Sequence, residues 1–212
     1  GDYRDEPMRK SLLATGLLFS TLAQADLLDA LQHYELKDYP KATVEFTELL
    51  PLGNEIAAFN LAVMFYKGEG TTADPVKALA YFQLAAELGD TRAAGVISTL
   101  SKKLSATELQ QADEQSHQLL EQVLVKTLED DDSDRVSLPD VVSRKAPAYP
   151  QGAANKGLFG YNVLRFVIDE QGNVSAVDVL SSFPAKTFDK TSIRAIKSWK
   201  YAATGQKHQG KV

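Results

Sequence analysis

The feature that most constrains the fold is an internal similarity at a spacing of 36 residues. In each copy, apolar and small side chains recur at the spacing of an amphipathic helix, which predicts the second helix of a helical hairpin. One hairpin cannot bury its apolar face, so successive copies must stack into a shared core. The matched pairs are Lys41 and Lys77, Ala42 and Ala78, Phe46 and Phe82, Gly53 and Gly89, and Asn54 and Asp90.

The repeat predicts an all-α solenoid of three helical hairpins within residues 26–127. The third hairpin matches the others less well, as expected for a terminal copy that covers the end of the stack. The paired helices are expected at 27–36 and 39–54, at 55–66 and 74–90, and at 91–103 and 106–128.

The middle hairpin carries the clearest signature. One face of its second helix offers three side chains that are small or absent among four positions, which suits close packing by a neighbouring helix. Glycines in the hairpin loop and after the helix permit tight turns, and an aspartate is placed to cap the helix N-terminus. These residues are Tyr66, Gly68, Gly70, Asp74, Ala78, Phe82, Ala85 and Gly89.

Beyond Val141 the period of the pattern changes from that of a helix to that of a strand. Apolar and polar residues alternate over 163–169, a turn follows at 169–173, and a second strand is predicted at 174–181. These segments predict an antiparallel hairpin.

A helix is expected after the hairpin, at 188–198, followed by an extended segment that begins at Trp199 and Tyr201. That segment is expected to be incomplete at Val212. Residues 141–212 are therefore predicted to form a small α+β domain in which an antiparallel sheet packs on a helix. The whole chain is predicted to be a two-domain α+β protein.

Residues 8–25 have the layout of a cleavable secretory signal. Arg9 and Lys10 supply a basic start, an apolar run covers 11–22, and small residues precede an expected cleavage after Ala25. A bilayer-spanning helix needs about 20 apolar residues, so this run is short for one. The alternatives are an uncleaved membrane anchor and a buried first helix.

The segment 128–140 contains six acids and one base, which predicts a solvated linker. Its alternating aspartates resemble a calcium loop, but Arg135 stands where that loop needs glycine and Val141 where it needs glutamate. Calcium binding is therefore not expected.

Charge is divided at the same boundary. Residues 26–140 contain 9 basic and 21 acidic residues, a net charge of −12, whereas residues 141–212 contain 11 basic and 4 acidic residues, a net charge of +7. A basic half can bind nucleic acid, but a secreted chain rarely meets it, so a solvated basic face is expected. Opposite charges also allow the two halves to dock on each other.

No pattern in the sequence predicts an enzyme. The absence of cysteine excludes thiol nucleophiles, cysteine-bound zinc and disulfides. His33, His117 and His208 lie far apart without a partner motif, and no nucleophile elbow or phosphate-binding loop is present. No cofactor, metal or small-molecule substrate is expected.

The middle hairpin resembles the Sel-one-like repeat family, which is related to the tetratricopeptide repeats. This resemblance implies a scaffold whose concave surface binds a partner protein. It is carried by Ala58, Asn60, Leu61, Met64, Tyr66, Gly68, Gly70, Asp74, Lys77, Ala78, Phe82, Ala85, Ala86 and Gly89.

The second half resembles the C-terminal domain of the TonB family. This resemblance implies a periplasmic domain that pairs its sheet with a short segment of an outer-membrane transporter, a β-strand addition. It is carried by Pro147, Tyr149, Pro150, Ala153, Gly157, Val163, Phe166 to Asp169, Gly172, Val174, Val177, Val179, Leu180, Ser182 to Pro184, Phe188, Asp189, Ala195 and Trp199 to Tyr201.

By this resemblance the partner-binding residues are expected in two stretches of the C-terminal domain. Trp199 and Tyr201 are also expected to belong to its core. The candidates are Lys145, Ala146, Pro147, Tyr149, Pro150, Trp199, Tyr201, His208 and Lys211.

Three hypotheses of function follow. The first is a non-enzymatic adaptor in the periplasm of a Gram-negative bacterium, which binds an envelope or outer-membrane protein through the TonB-like domain and a second partner through the repeats. The second is an energy transducer for outer-membrane uptake of siderophores or similar nutrients, anchored in the inner membrane by residues 8–25. The third is a structural scaffold in which the two oppositely charged halves dock on each other.

Overall fold

The computed structural model describes residues 25–124 and 138–212. The first range contains a short strand, six α-helices and one turn of 3-10 helix at Leu50–Leu52. The strand is β1 (Ala25–Asp26), and the helices are α1 (Leu27–Glu35), α2 (Tyr39–Leu49), α3 (Glu55–Lys67), α4 (Pro75–Glu87), α5 (Ala93–Ser101) and α6 (Ala106–Glu121).

The second range contains five strands and two helices. They are β2 (Val141–Ser143), α7 (Gln151–Asn155), β3 (Tyr161–Ile168), β4 (Val174–Phe183), α8 (Asp189–Lys197), β5 (Lys200–Tyr201) and β6 (His208–Lys211). The predicted fold class is confirmed: helical hairpins are followed by a small α+β region whose antiparallel hairpin packs on a helix. The third predicted hairpin differs from the expectation, because α5 and α6 both pack on α4 instead of chiefly on each other.

The helical hairpins use small residues to pack closely. Ala78 and Ala85 on α4 are fully buried, and the ring of Phe82 meets Phe59 of α3 edge-on, with 5.3 Å between centroids. A β-carbon on Gly70 would lie only 2.6 Å from the β-carbon of Tyr39. The loop of the middle hairpin therefore rests directly on the start of α2, which explains a glycine at this position.

The N-terminus of α4 is capped by Asp74, as predicted. The Lys77 N–H donates a hydrogen bond to Asp74 Oδ1 at 2.9 Å. At the end of the hairpin Gly89 has φ of 106°, the left-handed exit expected there.

Replacing Asp74 by Ala should lower the free energy of unfolding by about 1 kcal/mol, because the helix loses its capping acceptor. Asp38 provides the matched control, since it precedes α2 at the equivalent position without a side-chain cap hydrogen bond and forms an ion pair with exposed Lys41. The Asp38→Ala variant should lose clearly less, because an exposed ion pair contributes little to stability. Urea unfolding measures both, and equal losses would show that the cap contributes nothing.

The main sheet has four strands in the order β1-β4-β3-β6. Strands β3 and β4 form the predicted hairpin, and β6 lies antiparallel to β3. An extended segment was predicted after Tyr201; in the structure His208–Lys211 form a strand that pairs with β3. Strand β1 was not predicted and pairs parallel to β4, with Ala25 beside Ala176.

The sheet separates two apolar cores. On one face Phe166, Ile168 and other residues pack against α8, Trp199 and Tyr201. On the other face Val167 and Ala176 join the core of the helical hairpins, where both are fully buried. The two halves of the chain are thus packed together through apolar contacts as well as opposite charge.

Among residues 25–124 and 138–212, no helix combines the length and apolar character that crossing a membrane requires. The predicted signal up to residue 24 and the acidic run 128–137, with its candidate calcium ligands, lie outside the described residues.

Candidate protein-binding edge and interdomain interface

The outer side of β6 is an edge of the main sheet, with which no strand within residues 25–124 and 138–212 pairs. Leu164 and Val212 exchange two backbone hydrogen bonds, at 2.8 and 2.9 Å, so they form a hydrogen-bonded pair of the antiparallel ladder. Because such pairs alternate along the ladder, Gly210 and His208 also face β3. The backbone N–H and C=O groups of Gln209 and Lys211 therefore point away from the sheet, where a further strand can pair with them.

A glycine holds β6 close to the sheet. A β-carbon on Gly210 would lie 2.2 Å from the ring of Phe166, so only glycine fits over that ring. Phe166 is itself fully buried and meets Trp199 edge-on at 5.6 Å and Tyr201 at 6.1 Å between centroids. This aromatic cluster fixes the position of the edge strand.

The segment that precedes α7 crosses the same cluster. The Trp199 Nε1–H donates a hydrogen bond to the carbonyl oxygen of Lys145 at 2.8 Å, and the guanidinium of Arg144 lies 4.1 Å from the centre of the Trp199 ring. Ala146 and Pro147 follow with exposed side chains. The cluster thus connects this segment with β6.

The structure brings only some of the predicted partner-binding residues together. Lys145, Ala146 and Pro147 are exposed on one side of the aromatic cluster, and Lys211 is exposed on β6. His208 is half-buried, and its Nε2 lies 2.7 Å from the hydroxyl oxygen of Thr204.

The remaining four predicted partner-binding residues lie beneath the edge or away from it. Trp199 and Tyr201 are 6% and 3% exposed, so they support the edge from beneath and present little of their rings to a partner. Burial raises the pKa of the Tyr201 hydroxyl. Tyr149 and Pro150 lie at another end of the domain, where the Tyr149 ring packs on Phe188.

Beside the opposite edge of the sheet, an ion pair joins the two halves of the chain. Lys197 Nζ on α8 lies 2.5 Å from Asp26 Oδ2 and 3.4 Å from Asp29 Oδ2. Asp26 also caps α1, accepting a hydrogen bond from the Asp29 N–H at 3.0 Å. One carboxylate therefore fixes both the start of the first helix and its position beside α8.

A groove of about 760 Å³ runs between α1 and α8. Acidic residues such as Glu35 line the α1 side, and Lys190 and Arg194 line the α8 side, with Leu31 and Ile193 between them. The groove is therefore polar along both walls and apolar in the middle.

The interface also contains a carboxyl group whose charge is disfavoured. Burial raises the pKa of Glu48 on α2, and the nearby carboxylates of Asp169 and Glu170 raise it further, while Lys207 opposes the shift. Since burial acts against the charged form, the contact between α2 and the turn of the hairpin is more favourable when Glu48 is protonated.

The α4 residues of the repeat signature, Ala78, Phe82 and Ala85, are buried in the core of the helical hairpins. Of the signature residues, Tyr66 remains 44% exposed and borders a shallow cavity of about 230 Å³ beside Gly95 and Leu100. Within 25–124 and 138–212, no three His, Asp or Glu side chains are grouped so that they could hold a metal ion.

Sequence reasoning predicted an extended segment after Tyr201 but not the bounds or pairing of β6, and it did not predict β1. The edge strand β6 has the sequence HQGK, whose only signal is a glycine, and β1 is two residues long. The burial of Val167 between the halves could have been predicted from the sequence, because apolar residues lie on both faces of β3 and indicate that both faces are covered.

Comparisons with known proteins confirm both family resemblances. Residues 145–212 match the family model for the Gram-negative bacterial TonB protein C-terminal region. Residues 56–90 match the model for the Sel1 repeat.

Two curated relatives match the C-terminal region. Protein TonB of Yersinia enterocolitica is 30% identical over 69 residues, which cover 32% of this chain and 27% of that protein. Protein TonB of Vibrio cholerae serotype O1 is 34% identical over 68 residues, which cover 32% of this chain and 28% of that protein. The chain thus spans little more than a quarter of the length of these relatives.

Two solved structures are similar to separate parts of the chain. One is c5321, a protective antigen of uropathogenic Escherichia coli with an SLR fold, at 28% identity and a TM-score of 0.38, covering 40% of this chain and 18% of that chain. The other is the solution structure of the Pseudomonas aeruginosa TonB CTD, at 25% identity and a TM-score of 0.33, covering 37% of this chain and 84% of that chain.

Proposed function

We propose that this chain is a non-enzymatic adaptor of the Gram-negative cell envelope that binds a partner protein by β-strand addition at the outer edge of β6. The single observation that carries the proposal is the pair of outward-facing backbone positions, Gln209 and Lys211, on a strand within the region that matches the TonB C-terminal model. An extended segment of a partner gains backbone hydrogen bonds there without rearrangement of the sheet.

The partner expected from the family resemblance is an outer-membrane transporter. We expect the exposed side chains of Lys145, Ala146 and Pro147 to contact an added strand, because the Lys145 carbonyl is bonded to Trp199, whose ring packs on Phe166 beneath β6. Backbone pairing supplies affinity in this mode, and neighbouring side chains supply specificity.

The edge proposal is tested with Gln209→Pro and the matched control Gln209→Ala. Proline removes an N–H that points away from the sheet, so it blocks an added strand while leaving the hydrogen bonds between β6 and β3 in place. A photo-crosslinking residue at Pro147 should capture an envelope protein in cells. We expect capture to fall at least tenfold in the proline variant and to stay unchanged in the alanine variant; equal capture would exclude edge pairing.

A second function, an intramolecular support, is favoured by the shared apolar core. The first hairpin contacts β1, β3 and β4 through α2 and the 3-10 helix, and Val167 and Ala176 complete its core. We propose that the repeats hold the sheet in a fixed orientation and keep their remaining surface for a second partner.

The alternative of an energy transducer depends on whether residues 8–25 remain in the mature protein. Mass spectrometry of the mature N-terminus distinguishes the two. A protein that begins at Asp26 has lost the apolar run and cannot be the transducer, whereas a retained run removes support for a released adaptor.

A further inference from the structure

Four exposed aromatic side chains lie at the end of the β3–β4 hairpin that is opposite its turn. They are Tyr149, Phe159, Tyr161 and Phe183, with exposed fractions of 55%, 85%, 61% and 62%. We call this group the aromatic tip. So much exposed aromatic surface in one place is unusual for a soluble surface and indicates an interaction site.

The aromatic tip is held together by one buried ring. Tyr149 meets Phe188 edge-on at 5.5 Å between centroids, and its hydroxyl donates a hydrogen bond to the carbonyl oxygen of Leu158. Gly160 is pressed against the same Phe188 ring and against Phe183 and its neighbouring proline. Phe159 lies between Leu158 and Gly160. Because both neighbours are held in place, the loop is fixed and the Phe159 side chain is exposed on it.

The two strands add the other half of the aromatic tip. Tyr161 and Phe183 are register partners at the first position of β3 and the last of β4. Partners in an antiparallel pair lie on the same face, so the two rings form one apolar surface.

The segments that form the aromatic tip carry positive charge only. Residues 141–168 and 179–188 contain no Asp or Glu. Lys156, just before the loop, and Lys186, just after β4, are exposed. The acid nearest to Lys186 along the sequence is Asp189, which is 9% exposed and accepts a hydrogen bond from the Ser182 hydroxyl.

The acidic repeats meet the C-terminal region at two places. Helix α1 lies beside α8, where Glu35 and Lys190 line one groove. The repeats contact the sheet at Val167 and Ala176, near the turn of the hairpin. At about 3.3 Å per residue along a strand, Val167 lies about 20 Å from Tyr161. The aromatic tip therefore lies at the end of the hairpin remote from this core contact, and none of its four aromatic residues lines the groove beside α1.

We infer that the aromatic tip binds the surface of a membrane that contains anionic lipids. Aromatic side chains partition into the boundary between headgroups and acyl chains, and lysines beside them are attracted to negative headgroups. Binding at a membrane surface is strengthened by buried apolar area and by electrostatic attraction to anionic lipids. The exposed rings supply the first and the neighbouring lysines the second. This inference does not depend on β-strand addition, which uses the edge of β6.

The test replaces Phe159 by Trp in the full chain and places the matched control Trp at Tyr66, an exposed aromatic in the acidic repeats. Both chains keep residues 8–25, so any attachment by that run is common to them. Each is mixed with vesicles of phosphatidylcholine and phosphatidylglycerol, with and without brominated acyl chains, which quench only tryptophans inserted in the bilayer. The fluorescence of the wild-type chain measures the contribution of the native Trp199, which is subtracted from that of both variants.

We expect strong quenching and a blue shift of the Trp introduced at 159, and no change for the one at 66. Adding Lys156→Gln and Lys186→Gln should weaken the vesicle affinity roughly tenfold or more, and pure phosphatidylcholine should bind more weakly still. If the probe at 159 stays unquenched, or if the probe at 66 is quenched equally, the aromatic tip does not insert and the inference fails. Quenching that is independent of the lysines and of lipid charge would overturn the electrostatic part.

Discussion

Replacement of Val167 by Asp should detach the helical repeats from the sheet. Val167 is fully buried between the two halves, so the new carboxylate would lie in an apolar core without a partner. An uncompensated buried charge costs about 3–5 kcal/mol. Because the residue lies on the surface of the sheet that faces the repeats, separation of the halves returns it to water, and the C-terminal sheet can remain folded.

The control for this variant is Val163→Asp, on the same strand but half-buried and nearer the free end of the hairpin. Small-angle scattering should show a larger radius of gyration for the Val167→Asp variant alone, and urea unfolding should show an early transition for it. Val163→Asp should lower the free energy of unfolding less than Val167→Asp does, because its side chain is only half-buried. If both variants keep the wild-type shape, the contact between the halves does not depend on the shared core.

Replacement of Asp178 by Ala should be equally damaging, because it leaves the guanidinium of Arg165 buried. The two side chains are cross-strand partners, 8% exposed each, with Arg165 Nε and one terminal nitrogen 3.0 and 2.7 Å from Asp178 Oδ2. Breaking a buried pair by removing one partner costs about 3–5 kcal/mol.

The matched variant for the ion pair removes both charges, Arg165→Met with Asp178→Leu. Replacement of a buried pair by apolar residues of similar volume is often neutral or stabilising. Thermal and urea unfolding should therefore place the double variant close to the wild-type chain and the single variant far below it. A single variant with unchanged stability would mean that water reaches Arg165 in solution.

Local patterns were sufficient to predict most elements. The 36-residue spacing identified the helical hairpins because repeated small residues are needed wherever helices approach closely, as Ala78 and Ala85 do. Alternation identified the β3–β4 hairpin, and the helix that follows it was predicted within a residue of α8. Each of these signals belongs to a single segment and requires no knowledge of its neighbours.

The candidate site could be predicted only in part. Strand β6 is polar apart from a glycine, and it becomes a strand because Gly210 fits over Phe166 and its backbone completes the ladder of β3. The burial of Trp199 and Tyr201 was expected. The position of the repeats on the sheet was not, because it depends on side chains that are far apart in the chain, such as Asp26 and Lys197.

The first described strand places a condition on the order of events in maturation. The bond between Ala25 and Asp26, where the signal is expected to be cut, lies in β1, with residues 0% and 6% exposed and paired with β4. A peptidase needs its target bond extended and accessible, so it can reach this one only before β1 joins the sheet. If the signal is removed, cleavage precedes the closing of the repeats onto the domain, and a chain that closes first becomes resistant to processing.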